Sequence, residues 1–216
     1  MSLSKILCRF GWGARLVGGA KLTRRNGYAA TSGWIRSLEE SKPVDASGQP
    51  LPWYTYACVS FLDARLPSDL QVFEFGAGNS TLWWLERCRQ LTSVEHDREW
   101  FDYLSHSFAG KPTTLLLREH TEESSYANAV AEFDEPFDVI VVDGRNRVQC
   151  ALNGIERLTA RGVLIWDDVD RPRYDDGVRQ LLERGFRKLD FHGLAPVSAR
   201  ARTTAIFYRA DNCLGI

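Results

Sequence analysis

The sequence predicts an α/β domain built on a doubly wound, mostly parallel seven-stranded sheet whose last strand is antiparallel. Three observations predict it. Five strand-like runs, QVFEF (71–75), LTSVEH (91–96), TTLLLRE (113–119), FDVIVVD (137–143) and GVLIWDD (162–168), alternate with segments of helical periodicity. FDVIVVD is too continuously apolar to keep one face in water, as in a strand covered on both sides. Two further runs, RKLDFH (187–192) and TTAIFYR (203–209), follow with no helix between them, which turns the final strand antiparallel to its neighbour.

The elements justify themselves in order. The first 30 residues are basic: six Lys/Arg precede residue 26 and no acid precedes Glu39. They lack the continuous apolar core of a secretory signal, so a short surface helix packed on the domain is expected. A peripheral membrane contact or a transit peptide is the alternative. SKPVDASGQPLP (41–52) is rich in Pro, Gly and Ser and reads as a border between an extension (1–50) and the main domain (51–216). WYTYACVSFLDARL (53–66) sets Tyr54, Ala57, Cys58, Phe61, Leu62 and Leu66 on one helical face, and Pro67 stops it. Helices are then expected at 80–91, at 97–108 with Asp97 as N-cap and Trp100, Phe101, Leu104 and Phe108 inward, and at 126–133, 147–158 and 175–186.

At 216 residues the chain is one domain with room for an extension. Its net charge of −1 leaves no global electrostatic case for nucleic acid. Five cysteines, Cys8, Cys58, Cys88, Cys150 and Cys213, form no C-x-x-C pair, which fits reduced thiols in the cytoplasm. No apolar run reaches the ~18 residues of a membrane span.

In a doubly wound sheet, ligands bind at the carboxyl ends of the strands. Those ends carry Glu74 with Gly76 and Gly78, Glu95–His96, Glu119–His120, Asp143–Gly144–Arg145 and Asp167–Asp168. In VFEFGAGNSTLWW (72–84), two glycines sit where a strand gives way to a helix, letting a ligand approach the backbone beside unpaired N–H groups. Glu95 lies 17 residues beyond Gly78, where a carboxylate can accept both hydroxyls of a ribose. The dinucleotide fingerprint wants a third glycine where this chain has Thr81, which favours a ligand without a pyrophosphate.

VFEFGAGNS followed by SVEHD, VVDG and GVLIWDD resembles the class I S-adenosylmethionine-dependent methyltransferases, from about Pro52 to Arg209. The resemblance implies a Rossmann-like fold with S-adenosylmethionine as cofactor. It implies that Glu74, Gly76 and Gly78 hold the methionine portion, with Asn79 and Ser80 following in the same loop. Ser80 stands where many members have glycine, and its hydroxyl and N–H would meet the cofactor carboxylate. Glu95, with His96 beside it, would hold the ribose, and Glu119 and His120 fall where the family meets adenine. Asp143, Asp167 and Asp168 are similar in placement to the Mg²⁺ ligands of the catechol and caffeoyl-CoA O-methyltransferase branch. The other reading of these acids is that Asp143 orients substrate while Asp167 and Asp168 cap the next loop.

Arginines gather on the same rim: Arg145, Arg147, Arg171, Arg173, Arg200 and Arg202. Their forked guanidiniums suit a carboxylate or phosphate. The alternative is pairing with Asp170, Asp175 and Asp176. Trp83 and Trp84 are expected in the core and in the walls of the cofactor pocket. The sequence therefore points to O-methylation of a small, anionic or glycan-type acceptor, with Asp143 and Arg145 in the catalytic roles. A cofactor-binding interaction module without turnover and an NAD(P)-binding oxidoreductase are the rival readings.

Overall fold

The computed structural model describes residues 11–119 and 125–216. His120 lies outside the described residues, as does the start of the basic extension. The elements are α1 (Gly11–Thr23), α2 (Tyr28–Thr31), α3 (Trp34–Glu40), α4 (Tyr56–Asp63), β1 (Gln71–Phe75), α5 (Asn79–Leu85), β2 (Gln90–Glu95), α6 (Arg98–Ser107), β3 (Thr113–Leu117), α7 (Ser125–Asn128) running into a 3₁₀ turn (Ala129–Glu132), β4 (Phe137–Val142), α8 (Arg147–Ile155), β5 (Leu158–Trp166), a 3₁₀ turn (Pro172–Tyr174), α9 (Asp175–Glu183), β6 (Arg187–Gly193) and β7 (Arg202–Tyr208).

They form one seven-stranded sheet in the order β3-β2-β1-β4-β5-β7-β6. The first five strands pair in parallel, and β7 inserts antiparallel between β5 and β6. Chain order reverses between β1 and β4, so the crevice above those two strands is where a ligand belongs.

Strand alternation splits the core into two layers. Phe73, Phe75, Ile140, Val142, Leu164 and Trp166 face α8, α9 and the α7 segment. Val72, Val139, Val141, Val163 and Ile165 face α4 and α5, where Leu62, Trp83 and Trp84 are buried. Glu74 shares the strand face of Val72, so a carboxylate is buried in the second layer with no exposed surface.

Several elements are shorter than periodicity alone predicts. α5 ends at Leu85 rather than running to residue 91, because the Arg87 N–H closes on Trp84 O and the Arg89 N–H donates to Leu70 O, turning the chain into β2. The expected helix over 53–66 starts only at Tyr56, where the Thr55 side chain caps it by accepting from the Cys58 N–H. Trp53 and Tyr54 are thus released from the helix, and Ala57 faces solvent rather than the core. Asp97 does cap α6, accepting from the Trp100 N–H at 2.9 Å. Leu104 and Phe108 are buried as expected, whereas Trp100 is 44% exposed and belongs to the rim of the crevice.

The stretch over 41–52 packs onto the domain: Val44 and Leu51 are buried, and Pro43 O accepts from the Asn79 side chain at 2.9 Å. α1 is exposed along most of its length, with Trp12 and Leu16 on its surface. Among the described residues no helix is long and apolar enough to cross a membrane.

Candidate active site

A cleft of about 510 Å³ opens at the ends of β1, β2 and β4, walled by Trp53, Gly76, Ser80, Glu95, Trp100 and Asp143 among others. The loop after β1 is its floor. Gly76 has φ +99°, and a Cβ there would lie 3.1 Å from the backbone of Gly144, so only glycine lets the β1 and β4 ends approach this closely. Above Gly78 the space is open, with nothing within 4 Å of an added Cβ.

Thr81, the residue that replaces the third glycine, has its own task. The Gly78 N–H donates to Thr81 Oγ1 at 2.9 Å, and that hydroxyl donates to Glu74 Oε2 at 2.6 Å. Ser93 Oγ donates to the same oxygen at 2.9 Å. Glu74 thus braces the loop from beneath without lining the cleft, and its Oε1 has no partner. Burial pushes its carboxyl up to about 7, against the lowering effect of the hydroxyls of Ser80, Thr81 and Ser93.

Glu95 does line the cleft. Its carboxylate accepts from three backbone N–H groups: Ala77 at 3.2 Å, His96 at 2.7 Å and Asp97 at 2.9 Å. It therefore locks the glycine loop to the end of β2. A carboxylate offers about four lone-pair sites, so capacity to accept remains. Asn79 does not face the cleft, since its amide is spent on Pro43 O. Ser80 and His96 do, and Glu119 is an exposed residue outside the cleft lining.

The β4 and β5 ends are built differently. Asp143 Oδ1 accepts from Arg147 Nη2 at 2.9 Å, and Arg147 also donates to Asp143 O, Gly144 O and Asp167 O. Burial raises the Asp143 carboxyl above its ordinary range, opposed first by Arg147. Asp168, at φ +52°, is held by Arg171 and by Arg202, the latter at 3.2 Å. Asp167 is buried, accepts from Thr204 Oγ1 at 2.7 Å, and is pushed well up, first by burial and then by Asp143. Gly144 completes the wall: a Cβ there would come within 1.9 Å of the Tyr126 hydroxyl.

Residues 73–169 match the family described as a methyltransferase domain. That segment, from β1 to just past β5, thus carries the match to a methyltransferase domain. The chain shares its fold with a methyltransferase from Pyrococcus furiosus (TM-score 0.53, 17% identity, covering 70% of this chain and 81% of that one). It is likewise similar to an rRNA methylase from Streptococcus thermophilus (TM-score 0.54, 15% identity, 71% and 95% covered). A third is a Streptococcus mutans protein described as a methyltransferase and solved in complex with SAH (TM-score 0.50, 13% identity, 69% and 94% covered). No curated protein matches the chain in sequence.

S-adenosylmethionine, the methyl donor that the resemblance implies, fits the residues present. The cleft lies within the ~300–1,000 Å³ of small-molecule sites. Glu95 keeps accepting capacity at its wall, and the space beside Gly78 is open although the Gly78 N–H is taken by Thr81. The Mg²⁺ site expected from Asp143, Asp167 and Asp168 does not fit. Among the described residues no three His, Cys, Asp or Glu side chains are grouped to hold a metal ion. Asp143 and Asp168 are instead neutralised by Arg147, Arg171 and Arg202, and Asp167 is turned to Thr204. Of the acids in the alternative reading, Asp170 accepts from the Thr203 N–H and Asp176 pairs with Arg179, and among the described residues neither Asp170 nor Asp175 bridges a rim arginine.

Two aromatic walls escaped the sequence reading. Trp83 and Trp84 are buried core residues, not cleft walls, and the cleft tryptophans are Trp53 and Trp100. Trp100 donates its indole N–H to Ala77 O at 2.9 Å, pinning the glycine loop from above. The Thr55 cap in WYTYAC was the readable signal for Trp53, since a helix starting at Tyr56 leaves Trp53 free to reach the cleft.

Proposed function

We propose that the protein transfers a methyl group from S-adenosylmethionine to a hydroxyl oxygen of a small acceptor of anionic or glycan type. The observation that carries the reading is the joining of the Glu95 cleft to Asp143, an acid with a raised pKa held by Arg147, on one wall. S-adenosylmethionine, when bound, would supply an electrophilic methyl carbon for the acceptor oxygen, the electron pair of the broken carbon–sulfur bond remaining on sulfur.

Glu95 would accept from the ribose through the capacity its three backbone N–H donors leave, and Gly76, Gly78 and Ser80 would lie along the methionine portion. Glu74 and Asn79 act one step back, bracing that loop through Thr81 and Pro43. Asp143 takes the acceptor's hydroxyl proton, and its raised pKa brings it nearer to neutral, where general bases work best. Arg147 fixes the rotamer of Asp143. Trp53 and Trp100 exclude water from the cleft. Much of the rate gain comes from holding the acceptor in line with the donor.

Incubation with methyl-labelled S-adenosylmethionine and a panel of hydroxy acids and sugar acids tests the reading. The expected result is an O-methyl product whose formation falls at least 100-fold in Asp143→Asn with donor affinity retained. Labelled product at undiminished rate in Asp143→Asn would remove Asp143 as the base.

A further inference from the structure

The six rim arginines that look alike in the sequence are sorted by the fold. Arg147 is bonded to Asp143, and Arg171 and Arg202 hold Asp168. Arg145 and Arg173 pair with no carboxylate among the described residues. Each is anchored instead by a ring: Arg145 Nε lies 3.3 Å from His96 Nε2, and Arg173 Nη2 donates to Tyr174 Oη at 2.8 Å, its guanidinium 4.9 Å above the Tyr174 ring. Tyr174 is itself buried, which fixes the Arg173 anchor.

These two arginines line one cavity of about 270 Å³, together with Arg147, Arg171 and Tyr174. The first turn of α8 opens onto the same space and carries no acid. Its backbone N–H groups add partial positive charge to the two guanidiniums left unneutralised. Gly144, Arg145 and Arg147 are shared walls of this cavity and the donor cleft, so a small molecule can occupy both.

We infer that this cavity is an acid-recognition subsite that grips the carboxylate or phosphate of the acceptor, between Arg145 and Arg173, while its hydroxyl reaches Asp143. The methylation half of that statement rests on the function proposed above, but the anion site does not. Charge surplus at this cavity selects an oxyanion over a neutral acceptor, because forked guanidiniums bond carboxylate and phosphate through charge-assisted, paired hydrogen bonds even though Arg145 and Arg173 are exposed. The arginines already bonded to Asp143 and Asp168 contribute shape and electrostatic potential rather than direct grip.

Calorimetric titration with inorganic phosphate and, separately, with glucuronate tests the subsite, with S-adenosylhomocysteine binding measured on every sample. The wild-type protein is expected to bind at least one of the two anions saturably. Saturation by phosphate alone assigns a phosphoester acceptor, and saturation by glucuronate alone assigns a carboxylate. Arg173→Gln should weaken that binding about tenfold or more with S-adenosylhomocysteine affinity unchanged, while Arg187→Gln on β6 leaves both as in the wild type. If Arg173→Gln fails to fold, Arg145→Gln should show the same loss of anion affinity. No saturable binding of either anion, or equal binding by wild type and the folded variant, overturns the subsite. Anion binding without S-adenosylhomocysteine binding would overturn the methyltransferase function and leave the subsite standing.

Discussion

At the ends of β1 and β2 the acids Glu74 and Glu95 are answered by hydroxyls and backbone N–H groups. At the ends of β4 and β5 the acids Asp143 and Asp168 are answered by guanidiniums. The difference separates two tasks. Neutral donors around a carboxylate shape a loop and leave negative charge to meet a ligand's hydroxyls or ammonium. Guanidiniums cancel the acids and, where they outnumber them, leave positive charge to meet an anion. One mouth of the sheet thus offers a cofactor half and an acceptor half of opposite character, joined at the contact of Gly76 with Gly144.

That joint is the first place to break the comparison. Gly144→Ala would drive a methyl into the hydroxyl of the fully buried Tyr126 ring and against Gly76 N. A loss of about 3 kcal/mol in unfolding free energy is expected, at the upper end of overpacking costs. Tyr126→Phe in the same chain should restore part of it, as read from urea midpoints.

The cofactor half is sharpened by Glu95→Ala. S-adenosylhomocysteine affinity should fall by about 1.5–3 kcal/mol, the range for hydrogen bonds to a charged group. The thermal shift given by saturating S-adenosylhomocysteine measures it; an unchanged shift would place the ribose elsewhere.

Glu74 distinguishes bracing from direct contact through pH. Its folded carboxyl titrates at about 7 against an ordinary 4.5, so the folded state keeps its proton longer than the unfolded chain. The contribution of Glu74 to stability therefore declines as pH rises from about 4.5 to about 7 and is flat above. Glu74→Gln should remove that decline and gain about 1–2 kcal/mol at pH 8, after the cost of a poorer acceptor for Thr81 and Ser93. Parallel stability–pH curves for the two proteins would show that Glu74 does not carry the shifted proton.

The smallest effect is expected from chelation. With arginines balancing the acceptor-side acids, EDTA should leave turnover within about twofold of the untreated enzyme. Loss of activity restored by Mg²⁺ would return Asp143, Asp167 and Asp168 to a metal role.

Much of this arrangement was legible in the sequence. Strand–helix alternation gave the parallel sheet, and the acids and glycines at strand ends marked its mouth, because period and turn chemistry are local properties. Pairing partners are not local. Nothing in the order of residues says that Arg202 reaches Asp168 across 34 positions or that Arg173 leans on Tyr174, and those choices decide between a metal site and a neutralised one. Trp100 was misread for a related reason: helical periodicity placed it inward, while its indole N–H was claimed by Ala77 O of the glycine loop. Thr81 was read for the glycine it lacks, and its hydroxyl relay to Glu74 needs the register of β1 against α5 to be visible.

The most direct test is a side-by-side calorimetric titration of the wild-type protein with S-adenosylhomocysteine and with NADH. Saturable one-to-one binding of S-adenosylhomocysteine, with no binding of NADH, is the expected result. Binding of NADH in place of S-adenosylhomocysteine would contradict the assignment of the Glu95 cleft as the seat of the methyl donor.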